Sequence, residues 1–394
     1  MKLETWNLIF EIMNKVYFIA DNIISSLGFT TSENIDAIEK QITGINKISD
    51  KTLYQQPFYA SQIKNVFLCN EFSKLSDYKE YTKFEKMCIL SITDAINKID
   101  IEFTTPDTLF ILSTTKGNID LLNLNCCPTV SRERAYLWKT AEIIKNYFNF
   151  YNTPIVVSNA CISGVIAIIT ASRLIEQGLY KNIIVCGADI LTEFVISGFQ
   201  SFMALSPQIC KPFDINRNGL NLGEGCGTII LSNKPNKENN IIYCAGAITN
   251  DANHISGPSR TAEGLSIAIN KAIKQSDTNL NENNCFVSAH GTATPYNDEM
   301  EAIAFERNKI NNFPTVGLKG YFGHTLGAAG VIESIASIHS LKSNIIHSTL
   351  GFEEHGVSIP VNIVTKTTEK ENEFCIKVAS GFGGCNATAI FQKI

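Results

Sequence analysis

Residues 155–177 read IVVSNACISGVIAIITASRLIEQ, and residues 325–341 read TLGAAGVIESIASIHSL. In the first stretch Ile155-Val156-Val157 is a short run of β-branched residues, the composition of a strand. Small residues then turn the chain at Ser158-Asn159-Ala160. From Ile162 onward apolar residues fall nearly all round the helical repeat, the pattern of a helix buried on every side. The second stretch repeats the design just after a strand and His324. Two such helices, each presenting its N-terminal end to one centre, predict a fold of two similar halves related by a pseudo-twofold.

The rest of the chain fits that frame. Thr108-Leu109-Phe110-Ile111-Leu112, Ile183-Ile184-Val185-Cys186 and Gly227-Thr228-Ile229-Ile230-Leu231 are apolar without alternation. Such runs suit strands covered on both faces. Val16-Tyr17-Phe18-Ile19-Ala20 reads as a further strand. Helical spacing marks 31–46, and 79–98 reads as a helix with Phe84, Met87, Cys88, Leu90, Ser91, Ala95 and Ile96 on its inner face. Residues 232–240 are polar and turn-rich, a connection between halves. Beyond it come strands near 241–249, 285–289, 314–318 and 374–379, with a helix at 262–275. Strand–helix–strand order predicts an α/β fold. We divide it into a lead-in at 1–14, a first half at 15–237 and a second at 238–394, forming one composite domain.

The chain has 394 residues, 18% of them charged, with a formal net charge of −5. That balance argues against nucleic acid as partner. No stretch approaches the roughly 18 uncharged apolar residues of a membrane helix. Lys2, Glu4, Glu11 and Lys15 interrupt the only candidate, at the start, which lacks the apolar core of a signal peptide. The expectation is a cytoplasmic protein with no membrane insertion. Its twelve cysteines contain no C-x-x-C pair, and most sit in apolar runs, as Cys88, Cys186, Cys226 and Cys285 do. We read buried thiols in a reducing compartment, and no metal site.

Three places carry chemistry. Cys161 stands where a strand has ended and a helix begins, among unpaired N–H groups and the positive end of the dipole. That setting favours thiolate, the form that attacks an acyl carbonyl. Ser288-Ala289-His290-Gly291-Thr292-Ala293-Thr294-Pro295 delivers a histidine from a strand into a turn lined by hydroxyls. Gly317-Leu318-Lys319-Gly320-Tyr321-Phe322-Gly323-His324 places a lysine and a histidine in a glycine-rich loop before a buried helix. His254, His339, His347 and His355 are read as structural or surface residues.

Together, Asn-Ala-Cys at 159–161, His-Gly-Thr-x-Thr-Pro at 290–295, Lys-x-x-x-Gly-His-x-x-Gly-Ala-Ala-Gly at 319–330 and Gly-Phe-Gly-Gly-x-Asn-Ala at 381–387 resemble the elongating β-ketoacyl-acyl-carrier-protein synthases. Pro212-Phe213-Asp214 and Gly223-Glu224-Gly225 add to the likeness, which spans roughly residues 15–394. The resemblance implies the thiolase fold, two halves in five α/β/α/β/α layers, and a dimer. It implies that Cys161 takes an acyl chain from an acyl carrier protein. The N–H groups of Cys161 and Phe382 would hold the oxyanion. His290 and His324 would donate to the malonyl thioester from protonated Nε2 atoms. Lys319, paired with Glu333, would order the site; a buried unpaired lysine is costly. Thr292 and Thr294 would bind the phosphopantetheine arm, and Phe382 would gate the acyl pocket. The substrates ride on that arm, and no other cofactor is implied.

The chain departs from the family where Val378-Ala379-Ser380 replaces Asn-Ser-Phe, where Cys385 follows the glycines and where Phe322 precedes Gly-His. Residues 50–150 match poorly and look shortened. These changes tilt the reading from general fatty-acid elongation towards a specialised aryl polyene or polyketide pathway. Cys375 and Cys385 lack the Cys-x-Gly loop of a thiolase, and the second histidine argues against an initiating synthase. A chain keeping Cys161 would be the active member of any heterodimer with a chain-length partner. Lys79, Lys83, Lys86 and Lys211 are candidates for carrier docking.

Overall fold

The computed structural model describes residues 14–123, 129–236 and 240–394. Nearly all of the lead-in at 1–14, and also Cys126 and Cys127, lie outside the described residues.

The apolar runs become strands of one ten-stranded sheet. In chain order these are β1 (Val16–Ile24), β2 (Thr108–Ser113), β3 (Ile155–Val157), β4 (Asn182–Asp189), β5 (Gly225–Ser232), β6 (Ile241–Asn250), β7 (Cys285–Ser288), β8 (Thr315–Val316), β9 (Phe374–Gly381) and β10 (Cys385–Lys393). Across the sheet they run 8-7-9-10-6-1-5-4-2-3. The last five strands therefore repeat the order 3-2-4-5-1 of the first five. The senses match too. β3, β2 and β4 are parallel and β5 and β1 alternate; β8, β7 and β9 are parallel and β10 and β6 alternate. The halves join where Val16 and Tyr17 pair with Tyr243 and Ile242.

Helices cover this sheet in layers. On one outer side lie α1 (Lys83–Ile96) and α2 (Leu137–Phe148), packed on the first half. In the centre lie α3 (Ser163–Glu176) and α7 (Ala329–Ser343), which touch strands of both halves. On the other outer side lie α5 (Glu263–Ser276) and α6 (Pro295–Arg307). A shorter helix, α4 (Glu193–Ser201), roofs the centre. The result is the expected five-layer α/β arrangement. Each fully buried Ile of α3 and α7 contributes roughly 1.5–3 kcal/mol.

The central helices meet through two glycines. A Cβ on Gly164 would stand 2.7 Å from the Val331 nitrogen, and one on Gly330 would stand 2.6 Å from the Val165 nitrogen. Only glycine permits so close an approach on both sides. The contact brings the N-terminal ends of α3 and α7 to one centre.

Some local readings change. The helix read at 31–46 ends at Glu39; Gln41 turns with φ +55°, and Ile45–Ile48 is a strand paired with Phe58–Ser61. The helix read at 79–98 starts at Lys83, because Thr82 and Glu85 form a capping box. The helix after His324 begins only at Ala329, behind a short 3-10 turn.

Candidate active site

The turn that carries Cys161 is built as a tight elbow. β3 ends at Val157, Asn159 N–H donates to Ser163 Oγ at 2.7 Å, and Ser163 Oγ donates to the Ala160 carbonyl at 2.6 Å. These bonds hold Ala160 at φ +47°, a left-handed conformation unfavourable to alanine. Cys161 follows, buried under Gly381 and Phe382. α3 starts two residues later than the sequence suggests, at Ser163. The expected thiolate is not what the surroundings favour. Burial pushes the Cys161 thiol up to about 11, while Lys319, Lys116 and the Phe382 N–H pull it only partly back. The thiol is the resting species.

The second half supplies two histidines. β7 delivers His290, whose N–H donates to Glu301 Oε1 at 2.7 Å, while Gly291 N–H donates to Oε2 at 2.7 Å. Glu301 comes from α6. His324 follows Gly323, whose φ of +67° lets the loop pass against Leu222. The imidazoles meet edge to face at 5.2 Å between centroids. One nitrogen of each ring and the Cys161 Sγ lie within 4.8 Å of one another.

Hydrogen bonding decides the tautomers. Lys319 Nζ lies 3.3 Å from His290 Nδ1, and Leu326 N–H donates to His324 Nδ1 at 3.3 Å. An ammonium and a backbone N–H only donate, so both Nδ1 atoms accept. A neutral ring whose Nδ1 accepts carries its proton on Nε2. Both rings are neutral, because burial first and the Lys319 charge second hold their pKa values well below 6.5. The site therefore holds two neutral Nε2–H donors near one thiol. A thiol and two imidazoles are also zinc-ligand types. Here metal on Nε2 would require the proton to leave rings whose Nδ1 atoms are already engaged, so the arrangement does not suit an ion.

Behind the histidines lies a charged cluster. Lys319 Nζ reaches Glu333 Oε1 at 2.6 Å and also the His290 carbonyl. Lys377 Nζ reaches Glu333 Oε2 at 2.6 Å. Sequence reading missed Lys377, which sits inside an apolar strand. A lysine in a strand with no exposed face was the available signal, since it demands a carboxylate.

In front lies a cavity of about 470 Å³. Cys161, His290, His324, Thr292, Thr294 and Phe382 line it. The Thr292 and Thr294 hydroxyls are 2.8 Å apart. Phe382 stacks on Phe199 at 5.5 Å and meets Phe202 edge-on at 5.2 Å. Ser380 also faces the cavity, donating to Asn386 Oδ1 at 2.8 Å. His254, read as structural or surface, is exposed and also lines the cavity, with its Nδ1 taken by the N–H groups of Ser256 and Gly257. His339 pairs with Asp21, and His355 meets Phe352 edge-on. Of the docking candidates, Lys86 is buried and Lys83 pairs with the buried Glu224, so neither is a free surface cation. Lys211 pairs with Glu353 at 3.4 Å, and Lys79 is exposed.

Two family models match the chain: "Beta-ketoacyl synthase, N-terminal domain" over residues 136–236 and "Beta-ketoacyl synthase, C-terminal domain" over 242–353. Together they span just over half of it. A 3-oxoacyl-[acyl-carrier-protein] synthase 2 from Vibrio harveyi is 26% identical over 405 residues, covering 94% of this chain and 97% of the relative. A mitochondrial 3-oxoacyl-[acyl-carrier-protein] synthase from Arabidopsis thaliana is 30% identical over 256 residues, covering 60% of this chain and 55% of that one. Among solved structures, the ishigamide ketosynthase/chain length factor superposes with a TM-score of 0.85 at 21% identity, over 97% of this chain and 100% of the other. A ketosynthase in complex with its chain length factor from Xenorhabdus doucetiae gives 0.83 at 23%, over 97% and 98%. The structural likeness is one of fold.

Proposed function

Since this chain belongs to the β-ketoacyl synthase family, and is thereby an acyl-transferring, carbon–carbon bond-forming enzyme of fatty-acid or polyketide synthesis, we propose that Cys161, His290 and His324 carry its condensation. Cys161 attacks an acyl-carrier thioester; its proton leaves on the carrier thiol. The acyl-enzyme then meets malonyl-carrier thioester. Loss of CO₂ leaves an enolate whose oxygen sits between the two Nε2–H donors. The enolate carbon attacks the acyl carbonyl, and the N–H groups of Cys161 and Phe382 receive the oxyanion. Collapse frees the Cys161 sulfur, whose high pKa draws a proton back from solvent.

The observation that carries this reading is the engagement of both Nδ1 atoms. It leaves neutral donors where an enolate forms, and a cationic imidazole there would protonate the carbanion. Lys319 and Glu333 hold His290 in place, Thr292 and Thr294 receive the pantetheine arm, and Phe382 gates the cavity. The steps need no metal and no cofactor beyond that arm. Residues 15–237, with the thiol, and 238–394, with the histidines and Lys319, act as one composite domain.

The partners we propose are an acyl carrier protein and a second synthase-type subunit, identical or related. β3 ends the sheet half-buried, and Tyr136 and Trp138, in the chain leading to it, stack with both rings exposed. An unpaired edge beside exposed aromatics suits a subunit contact. Ser380 at the cavity wall, where the family carries phenylalanine, favours a specialised pathway. Ten free cysteines among the described residues fit a cytoplasmic setting, and no helix described is long and apolar enough to cross a membrane.

Intact-protein mass spectrometry after incubation with a panel of acyl-carrier thioesters tests the assignment. A mass gain in wild type that is absent from Cys161→Ala is expected. An equal gain in both would remove Cys161 from the role.

A further inference from the structure

Lys377 lies in the middle of β9 and is fully buried. Its ammonium has three donors and three acceptors around it: Glu333 Oε2 at 2.6 Å, the Ala289 carbonyl at 3.1 Å and the Ser288 carbonyl at 3.3 Å. A neutral amine has only two N–H groups and would turn its lone pair on one of these oxygens, so the geometry calls for the charged form. Lys319 is equally saturated, with Glu333 Oε1, the His290 carbonyl and His290 Nδ1. One carboxylate thus serves two cations.

Ser288 and Ala289 are the two residues that deliver His290. Lys319 fixes the ring and carbonyl of His290; Lys377 fixes the backbone behind it. We propose that Lys377 is a positioning residue for His290, tying the end of β7 to Glu333 and completing a two-lysine, one-carboxylate cluster with one net positive charge behind the two histidines. The charge favours the enolate over the cationic histidine: it stabilises negative charge forming at Nε2–H and opposes protonation of either ring. Both histidines feel Lys377 as a group that lowers their pKa. The other titratable groups facing the cluster are Glu301 on α6, itself beside Asp298, Cys375 on β9, Cys161 before α3, and Cys210, whose Sγ lies 3.5 Å from the Lys319 carbonyl.

The proposal rests on the condensation reading above, and the test separates the two. Lys377→Met removes charge and donor and leaves Glu333 paired with Lys319. Lys377→Gln removes the charge but keeps an amide donor for the carbonyls. For each we would follow acylation of Cys161 by mass, then single-turnover condensation of the preformed acyl-enzyme with malonyl-carrier thioester across pH. Acylation in the wild type tests the reading itself. For the variants, acylation close to wild type is expected, with condensation lowered roughly ten- to hundredfold in Lys377→Met. The acid limb of the profile should move to higher pH in both variants, because losing a cation lets the imidazoles protonate sooner. A smaller loss in Lys377→Gln would separate positioning from charge. Unchanged condensation, an equal fall in both steps, or an unmoved acid limb in a folded variant would overturn the proposal. So would failure of both variants to fold, which would make Lys377 a residue of the fold alone.

Discussion

The central helices of the two halves begin alike and end in different chemistry. α3 opens Ser163-Gly164-Val165-Ile166-Ala167, and α7 opens Ala329-Gly330-Val331-Ile332-Glu333. The glycines face each other and all ten residues but Ile166 are buried. At the fifth place one helix has Ala167, and the other has a carboxylate holding two lysines. The first half therefore offers a thiol whose burial holds its proton against the pull of Lys319 and Lys116. The second offers neutral histidines backed by charge. A shared apolar frame sets where the groups meet, and one acidic residue on one side sets what they do.

The largest effects should come from exchanging the roles of the two ends. Cys161→Ala is expected to abolish acyl transfer with the fold kept. His290→Ala and His324→Ala should leave acylation of Cys161 near wild type while condensation falls by about a hundred- to a thousandfold, the usual cost of losing one oxyanion donor. Mass spectrometry reads the first step and product formation the second. Loss of acylation in His324→Ala would break the division of labour between the halves.

The fifth helical position comes next. Glu333→Gln leaves two buried ammonium groups with no anion. Breaking such a pair costs about 3–5 kcal/mol, and denaturant unfolding should show it. The reciprocal Ala167→Glu buries a carboxylate with no lysine beside it and should prevent folding. If Glu333→Gln were as stable as wild type, the charge cluster would not separate the helices energetically. Smaller and symmetric effects are expected from Gly164→Ala and Gly330→Ala. Each new methyl meets backbone under 3 Å away, so each should lose about 1–3 kcal/mol or more. Clearly unequal losses would argue against an equivalent contact from both sides.

What the sequence shows of this design follows the same division. Strand runs and the paired helices are legible because burial on all sides leaves few polar residues to obscure them. Cys161, His290, Lys319 and His324 stand out because each lies among glycines and small residues at the end of a strand. Lys377 hides inside Phe374–Gly381, where the apolar run draws attention from the one charge within it. α6 escapes periodicity because Asp298 and Glu301 occupy its buried face, so its apolar stripe is broken. The thiolate expectation fails for a tertiary reason: Cys161 is buried, in part against Gly381 from more than two hundred residues away, and that burial outweighs what the nearby turn and the surrounding cations supply.

The subtlest contrast is in how stability responds to pH. Each half has a carboxylate that gathers backbone N–H groups: Asp189 takes those of Thr115, Lys116 and Gly327, and Glu301 takes those of His290 and Gly291. Burial raises the pKa of both, and Glu301, further pressed by Asp298, rises from 4.5 to about 7. Between those values folded Glu301 keeps a proton that the unfolded chain has lost. Its contribution is thus present below pH 4.5 and is lost as pH rises through 7. His290 and His324 act in the opposite sense. Their folded values lie below 6.5, so they cost stability as pH falls below 6.5. Glu301→Gln, which cannot titrate, should lessen the loss on the rising side, where Glu176 and Asp298, raised by burial to about 7 and about 6, also contribute, and leave the acid loss due to the histidines. Thermal midpoints between about pH 5 and about pH 8 would show it. A wild-type stability that rises steadily across that range, with no change in the variant, would mean that Glu301 stays ionised, held by its N–H donors as firmly as burial opposes them.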